Sequence, residues 1–263
     1  MKFANGVHPT RLSALTLIIG SVVFSAACEK RIEEPRELSY ELIKSTPHQT
    51  DASTQGLLIH DGVYYESTGV YGESTIRRVD PESGEILKRR YLATKAFGEG
   101  LALRGDRLYQ LEWQSGEGFI YHRETLEKIG GFSYEGEGWG LTSNEEHFVL
   151  SDGTSTLRFL DPDTFEVVRR VIVRDHRGEV DLLNELEWID GKVWANRWHT
   201  DDLVVIDPRS GVVEATLNLF ALERPRPQDP ESVLNGIAFD TETGLIHVTG
   251  KRWPRVHRIR VLE

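Results

Sequence analysis

The sequence predicts an all-β fold: a five-bladed β-propeller of four-stranded blades, the last blade closed by the N-terminal strand. Three observations predict it. A short motif ahead of an apolar strand recurs five times, at Thr54-Gln55-Gly56-Leu57, Phe97-Gly98-Glu99-Gly100-Leu101, Gly138-Trp139-Gly140-Leu141, Asn184-Glu185-Leu186 and Asn235-Gly236-Ile237. The repeated position falls at Gly56, Gly100, Gly140, Glu185 and Gly236, with spacings of 44, 40, 45 and 51 residues. Strand-and-turn repeats of about 40–50 residues are propeller blades. An Asp-Pro-x-Ser/Thr turn recurs at one place in three repeats, beginning at Asp80, Asp161 and Asp207. Lastly, the final repeat is one strand short, while one strand is left over ahead of the first.

The surplus strand is residues 38–43, where apolar and polar residues alternate. The first blade runs over 56–93, with strands at 56–59, 63–67, 75–79 and 86–91 and a tight hairpin at Asp61-Gly62. The second covers 100–132, the third 140–173 and the fourth 186–219. The fifth has strands only at 236–239, 245–249 and 256–261. Pairing of 38–43 with this blade closes the ring and hides both sheet edges. Pro225, Pro227 and Pro230 mark the segment before the fifth blade as a rim loop.

The N-terminus reads as a targeting segment. Lys2 and Arg11 precede a mostly apolar run over 12–23, too short to span a bilayer, and Ser25-Ala26-Ala27 lead to Cys28. The expectation is a signal peptide over 1–27, lipidation of Cys28, a charged tether over 28–37 and a propeller domain over 38–263, in an extracytoplasmic (periplasmic) protein held on a membrane by its lipid. The ordinary secreted alternative stays open, because Ser25 stands where lipoproteins usually carry an aliphatic residue. Cys28 is the single cysteine, so no disulfide forms within one chain. The net charge is −11 with no basic run, which argues against nucleic acid as a partner. Nothing in the sequence calls for more than a monomer.

Residues that open each inner strand of a propeller form a ring at one rim. Here that ring is Gln55, Glu99, Trp139, Asn184 and Asn235. The second strand of each blade returns to the same rim thirteen residues after each repeated position, at Gly69, Trp113, Gly153, Trp198 and Thr249, with Lys251 just beyond. One acid, three tryptophans, three amides and a lysine thus share a rim. Tryptophans supply apolar walls and N–H donors, a carboxylate among them is desolvated toward a proton-shuttling pKa, and amides and a lysine hold polar groups or an oxyanion. There is no nucleophile elbow, no paired His at metal-ligand spacing and no phosphate loop. The nine His are scattered and are read as non-catalytic. Each of these residues alone reads equally well as a turn or packing residue; their convergence on one rim carries the functional reading.

From about Ser45 to Arg258 the chain resembles the plant and bacterial type of glutaminyl-peptide cyclotransferase. The resemblance rests on stretches that include Tyr65-Glu66-Ser67-Thr68-Gly69, Phe97-Gly98-Glu99-Gly100-Leu101, Gly136-Glu137-Gly138-Trp139-Gly140, Leu183-Asn184-Glu185-Leu186-Glu187-Trp188 and Val248-Thr249-Gly250-Lys251-Arg252-Trp253-Pro254. It implies an enzyme that converts N-terminal glutamine of peptides or proteins to pyroglutamate with loss of ammonia. Position by position, Glu99 matches the family's catalytic carboxylate, and Gln55, Phe97, Trp113, Trp139, Asn184, Trp198 and Lys251 match its pocket. Lys251 or an indole N–H would polarise the γ-amide; Asn235 joins the pocket from the rim ring. No cofactor is implied for catalysis, and a structural calcium ion in the channel is allowed, its ligands unassigned. Ser53 and His199 depart from the family pattern, which tends to an aromatic and a glutamine there. Two other readings remain open from the residues alone: a metal-dependent lactonase-like or esterase-like propeller, and a non-enzymatic propeller that binds peptide at its rim.

Overall fold

The computed structural model describes residues 1–3, 6, 31–222 and 230–262. Residues 1–31 form one unit and 32–263 another. The signal-peptide stretch, Cys28, Pro225 and Pro227 lie outside the described residues. Among those described, no helix is long and apolar enough to cross a membrane.

Strand β1 (Arg36–Pro47) precedes the first blade, which is β2 (Thr54–His60), β3 (Val63–Thr68), β4 (Thr75–Val79) and β5 (Ile86–Tyr91). Blade two is β6 (Gly98–Arg104), β7 (Arg107–Glu112), β8 (Glu117–His122) and β9 (Lys128–Ser133). Blade three is β10 (Leu141–Ser143), β11 (Phe148–Leu150), β12 (Thr156–Leu160) and β13 (Val167–Ile172). A small hairpin, β14 (Arg174–Asp175) and β15 (Gly178–Glu179), separates it from blade four: β16 (Leu183–Ile189), β17 (Lys192–Arg197), β18 (Asp202–Ile206) and β19 (Val213–Asn218). Blade five is β20 (Leu234–Asp240), β21 (Leu245–Gly250) and β22 (Arg255–Leu262). The innermost strands β2, β6, β10, β16 and β20 neighbour one another in cyclic order, so the ring closes as expected.

The closing strand does more than the sequence predicts. β1 pairs antiparallel with β22 from Ser39 to Pro47, which completes blade five. Its first residues, Arg36 to Leu38, also pair in parallel with Ala215 to Leu217 of β19. Blades four and five therefore share one eight-stranded sheet. Arg36 and Glu37, expected in the tether, belong to the domain for this reason. The β14–β15 hairpin carried no alternating pattern and was not expected.

Apolar side chains do not form one core. They form five clusters, one at each seam between consecutive blades. Tyr65, Leu101 and Leu108 lie at the first seam, Tyr109, Leu141 and Phe148 at the second, Val149, Leu186 and Val193 at the third. Trp194, Leu234 and Ile237 fill the fourth, and Leu57, Tyr64 and Ala238 the seam that closes the ring. The Asp-Pro turns are braced from within: the Asp80 carboxylate accepts the backbone N–H of Glu82 (3.1 Å) and Ser83 (2.8 Å), and Asp161 does the same for Asp163 and Thr164.

At the axis the inner strands meet backbone to backbone. A Cβ on Gly56 would lie 2.6 Å from the Leu101 nitrogen, one on Gly100 2.4 Å from the Leu141 nitrogen, and one on Gly140 2.0 Å from the Asn184 carbonyl oxygen. Glycine recurs because no side chain fits there. Blade four carries Glu185 instead. Its carboxylate accepts the N–H of Leu57 (3.2 Å) and of Ile237 (2.8 Å), tying β2 to β20. Two residues along, Glu187 accepts the N–H of Phe239 at 2.9 Å. Burial pushes the Glu185 carboxyl well up and that of Glu187 to about 8.

Because the folded chain holds Glu187 neutral above the carboxyl's ordinary 4.5, stability falls as pH rises from about 4.5 to about 8. Each unit costs at most about 1.4 kcal/mol, and less where solvent reaches the side chain. Glu187→Gln keeps the acceptor and removes the titration. Its Tm is expected to fall less than the wild-type Tm between pH 5 and pH 8, by a few °C, in calorimetry across that range.

Candidate active site

Four of the five inner strands carry an irregularity at the rim: between Thr54 and Gly56, Gly98 and Leu101, Leu183 and Leu186, and Leu234 and Ile237. A bulge breaks the two-residue alternation and re-aims a side chain. These bulges carry Gln55, Glu99, Asn184 and Asn235, all buried although polar. The fifth member, Trp139, lies just ahead of β10 and is held by its N–H to the Ser151 carbonyl (2.8 Å) and its carbonyl to the Gly100 N–H (2.8 Å).

The second ring closes against the first by a repeated backbone bond. Gly69 donates to Ser53 (2.9 Å), Trp113 to Phe97 (3.0 Å), Trp198 to Leu182 (2.8 Å) and Lys251 to Val233 (2.9 Å). Lys251, not Thr249, is therefore the equivalent position in blade five. The thirteen-residue count fails there because β20 and β21 are joined through Asp240 and Leu245 by a loop two residues longer than the Asp61-Gly62 hairpin. Thr249 is buried and donates to the Arg255 carbonyl at 2.8 Å.

The aromatic residues make an arc. Phe97 packs on Trp113 with centroids 5.4 Å apart, and Trp139 meets Trp198 edge to face at 5.4 Å. The Lys251 ammonium lies 6.0 Å from the Trp198 ring. Gln55 accepts from the Asn235 amide at 3.3 Å, and that amide also donates to the Thr54 carbonyl at 2.9 Å. Glu99 is 6% exposed and Lys251 7%. Burial pushes the Glu99 carboxyl well above its ordinary value; Lys251 pulls it back, while Glu112 and Glu137 push it further up. Burial in turn lowers the Lys251 amine, against the pull of Glu99 and Glu231. Glu112 goes the other way: despite partial burial, the hydroxyl and N–H of Ser115 and the N–H groups of Phe97 and Gln114 hold it ionised.

A family profile, glutamine cyclotransferase, matches residues 14–261. The chain belongs to that family. It is 40% identical over 228 residues to the glutaminyl-peptide cyclotransferase of Arabidopsis thaliana, covering 85% of this chain and 71% of that protein. The crystal structure of Myxococcus xanthus glutaminyl cyclase aligns with a TM-score of 0.81 at 38% identity, over 87% of this chain and 98% of that one.

The site of this cyclotransferase-family chain contains one residue that sequence reasoning missed. Glu137 joins two walls of the arc: its carboxylate accepts the indole N–H of Trp113 at 3.0 Å and of Trp139 at 3.1 Å. Its loop is anchored from behind by Arg158, which donates to the carbonyls of Glu135 and Glu137. The expectation that any indole N–H faces the pocket is thereby narrowed. Trp113 and Trp139 spend theirs on Glu137, whereas the buried Trp198 Nε1 has no partner among the described residues. The side-chain oxygens of Asn184 and Asn235 are likewise buried and unpartnered. One donor and two acceptors on the two rings are thus without a partner among the described residues. A broad depression of about 1220 Å³ at the opposite rim, lined by Leu103, Asn144, His147, Trp188 and Lys192, shares none of these residues.

Glu137→Ala is expected to leave the far-ultraviolet spectrum of the fold unchanged. It should lower the near-ultraviolet circular dichroism and shift tryptophan emission to longer wavelength, as two indoles lose their shared anchor. An unchanged near-ultraviolet spectrum would count against the bridge.

Proposed function

We propose that this protein cyclises N-terminal glutamine of peptides or proteins to pyroglutamate with release of ammonia. The observation that carries the reading is the set of buried groups without a partner among the described residues, Trp198 Nε1, Asn184 Oδ1 and Asn235 Oδ1, on the rim rings that also hold the coupled pair Glu99 and Lys251. Glutamine's head group offers their complements, an α-amine that donates and a γ-carbonyl that accepts. Family membership over most of the chain supports the same chemistry.

The reaction needs no nucleophile from the protein. The α-amine attacks its own γ-carbonyl carbon, so proximity is largely built in once the side chain is folded back. An α-amino group has a pKa of about 8, so a useful share is neutral near pH 7. Asn184 Oδ1 orients this amine, while Gln55 and Asn235 hold the backbone side of the substrate. As the new C–N bond forms, ionised Glu99 takes the amine proton. It then passes that proton to the departing nitrogen, which leaves as ammonia and restores the carboxylate. In a dry site its raised pKa makes it a stronger base, matched to this transfer. Trp198 N–H and Lys251 stabilise the oxyanion of the tetrahedral intermediate. Trp113, Trp139 and Phe97 exclude water.

A structural calcium ion in the channel would draw on backbone and amide carbonyl oxygens rather than on a cluster of carboxylates. Among the described residues no group of three or more His, Cys, Asp or Glu side chains could hold a metal ion, and both Glu185 oxygens are engaged by backbone N–H groups. No step is routed through a metal.

The test is ammonia release from glutaminyl dipeptide amides by purified residues 29–263, with and without chelator. Chelator-resistant turnover with the mass loss of one ammonia is expected. Turnover abolished by chelation would favour a metal-dependent propeller, and no turnover by folded protein a binding propeller. Glu99→Gln is expected to lower kcat by roughly 100-fold or more. Retention of more than about a tenth of kcat would remove the shuttle role. Trp198→Phe keeps the wall and loses the donor, so kcat should fall at least about tenfold with little change in KM.

We further propose export and lipid anchoring at Cys28 of a protein that acts as a monomer. The support is the leader-like stretch ahead of the single cysteine. Cys28→Ser is expected to move the protein from the membrane to the soluble fraction. An unchanged distribution would sink the anchor.

A further inference from the structure

One aromatic side chain at the site's mouth remains without a role. Tyr71 is 50% exposed, yet it stands on a built platform. Glu73 donates its N–H to the Val70 carbonyl at 2.9 Å, and Gly72 between them has φ 81°. This is the signature of a type II turn with Tyr71 at its second position. The buried Ser74 hydroxyl donates to the Val70 carbonyl (2.8 Å) and accepts the N–H of Val70 (3.0 Å) and of Gly98 (3.1 Å). The turn is thereby pinned to the residue next to Glu99. The Tyr71 ring meets Phe97 edge to face at 5.1 Å, and Phe97 continues to Trp113 at 5.4 Å. Phe97 itself lies against Gly69, where a Cβ would come within 2.2 Å of its ring. A half-exposed aromatic ring, fixed by its turn and continuous with the pocket wall, presents apolar area at little cost in conformational freedom.

We propose that Tyr71, with the outer edge of Phe97, is the subsite for the side chain of the residue following the cyclising glutamine, and that it favours apolar and aromatic side chains there. This rests on the cyclase reading above. Consecutive Cα atoms are about 3.8 Å apart, so a glutamine held at Glu99 puts the next residue at the mouth. On one side the mouth presents Tyr71 and Phe97. On the other it presents the polar pair His199 and Glu231, 3.8 Å apart. Among the described residues, an aromatic or branched side chain buries apolar area against the first. Glu112 and Glu137, flanking Phe97 and Trp113, disfavour an acidic residue at the same place.

The test is kcat/KM for glutaminyl-phenylalanine amide and glutaminyl-glycine amide with the wild type, Tyr71→Phe and Tyr71→Ala. The wild type is expected to prefer the phenylalanine substrate by roughly tenfold. Tyr71→Phe should keep that preference, and Tyr71→Ala should reduce it to about twofold or less through KM, with kcat on the glycine substrate reporting correct folding. A wild type without preference, or a Tyr71→Ala ratio equal to wild type, would overturn the subsite and leave the cyclase reading standing. No turnover of either substrate by folded wild type would overturn the cyclase reading itself.

Discussion

Everything in this domain depends on the closeness of five strands at one axis. The separations at Gly56, Gly100 and Gly140 leave no space for a Cβ, so backbone packs on backbone and no apolar core forms at the centre. The hydrophobic stabilisation moves outward to the five seams, each filled from two blades. Closure falls to β1, which reaches blade four through Arg36 to Leu38 and blade five through Ser39 to Pro47. The same strand covers the open edges of β19 and β22, which would otherwise present unpaired N–H and C=O groups.

The crowded axis also explains where polar groups are buried. Inner strands that converge must stop alternating, and the four bulges do this at one rim. Each turns a polar side chain toward the centre, away from solvent and without a partner from its own strand. Polar groups held so are costly unless hydrogen-bonded. Some are satisfied within the protein, as the Asn235 amide nitrogen and the Gln55 oxygen are by each other. Others, Trp198 Nε1 and the side-chain oxygens of Asn184 and Asn235, have no partner among the described residues. Under the proposed function these groups await a polar ligand, and the five seams offset the stability lost there.

The fold was legible because the axial constraint leaves a mark in every repeat: small residue, strand, hairpin, strand. Even its exception was visible, since Glu185 breaks the glycine series at the one place where a side chain spans the axis to Leu57 and Ile237. The ring of buried polar residues was legible at the level of position, because ring membership follows from the repeat. Its wiring was not. Glu137 was read only as part of a glycine-rich stretch, although Gly136-Glu137-Gly138 ahead of Trp139 was the available signal. Nothing in local sequence says that one carboxylate reaches indoles from two blades. Lys251 fell two residues off the count because hairpin length between β20 and β21 is a local matter that a repeat average hides. The double pairing of β1 depends on the long-range placement of β19, which no periodicity reports.

Glu137 decides how the site divides its labour. Had the three indoles been equivalent donors, an oxyanion would have no fixed place among them. Two are instead committed to a carboxylate, which orients their rings and adds negative charge beside Glu99. That charge raises the Glu99 pKa further and so strengthens it as a base when ionised, while Lys251, on the other side, keeps the ionised form within reach. In the proposed reaction the opposing pulls let Glu99 hold or release one proton, and of the three rim indoles Trp198 alone has an N–H without a partner among the described residues. For the proposed substrate, which brings its own nucleophile, a movable proton and a fixed donor are the two things the protein would have to provide.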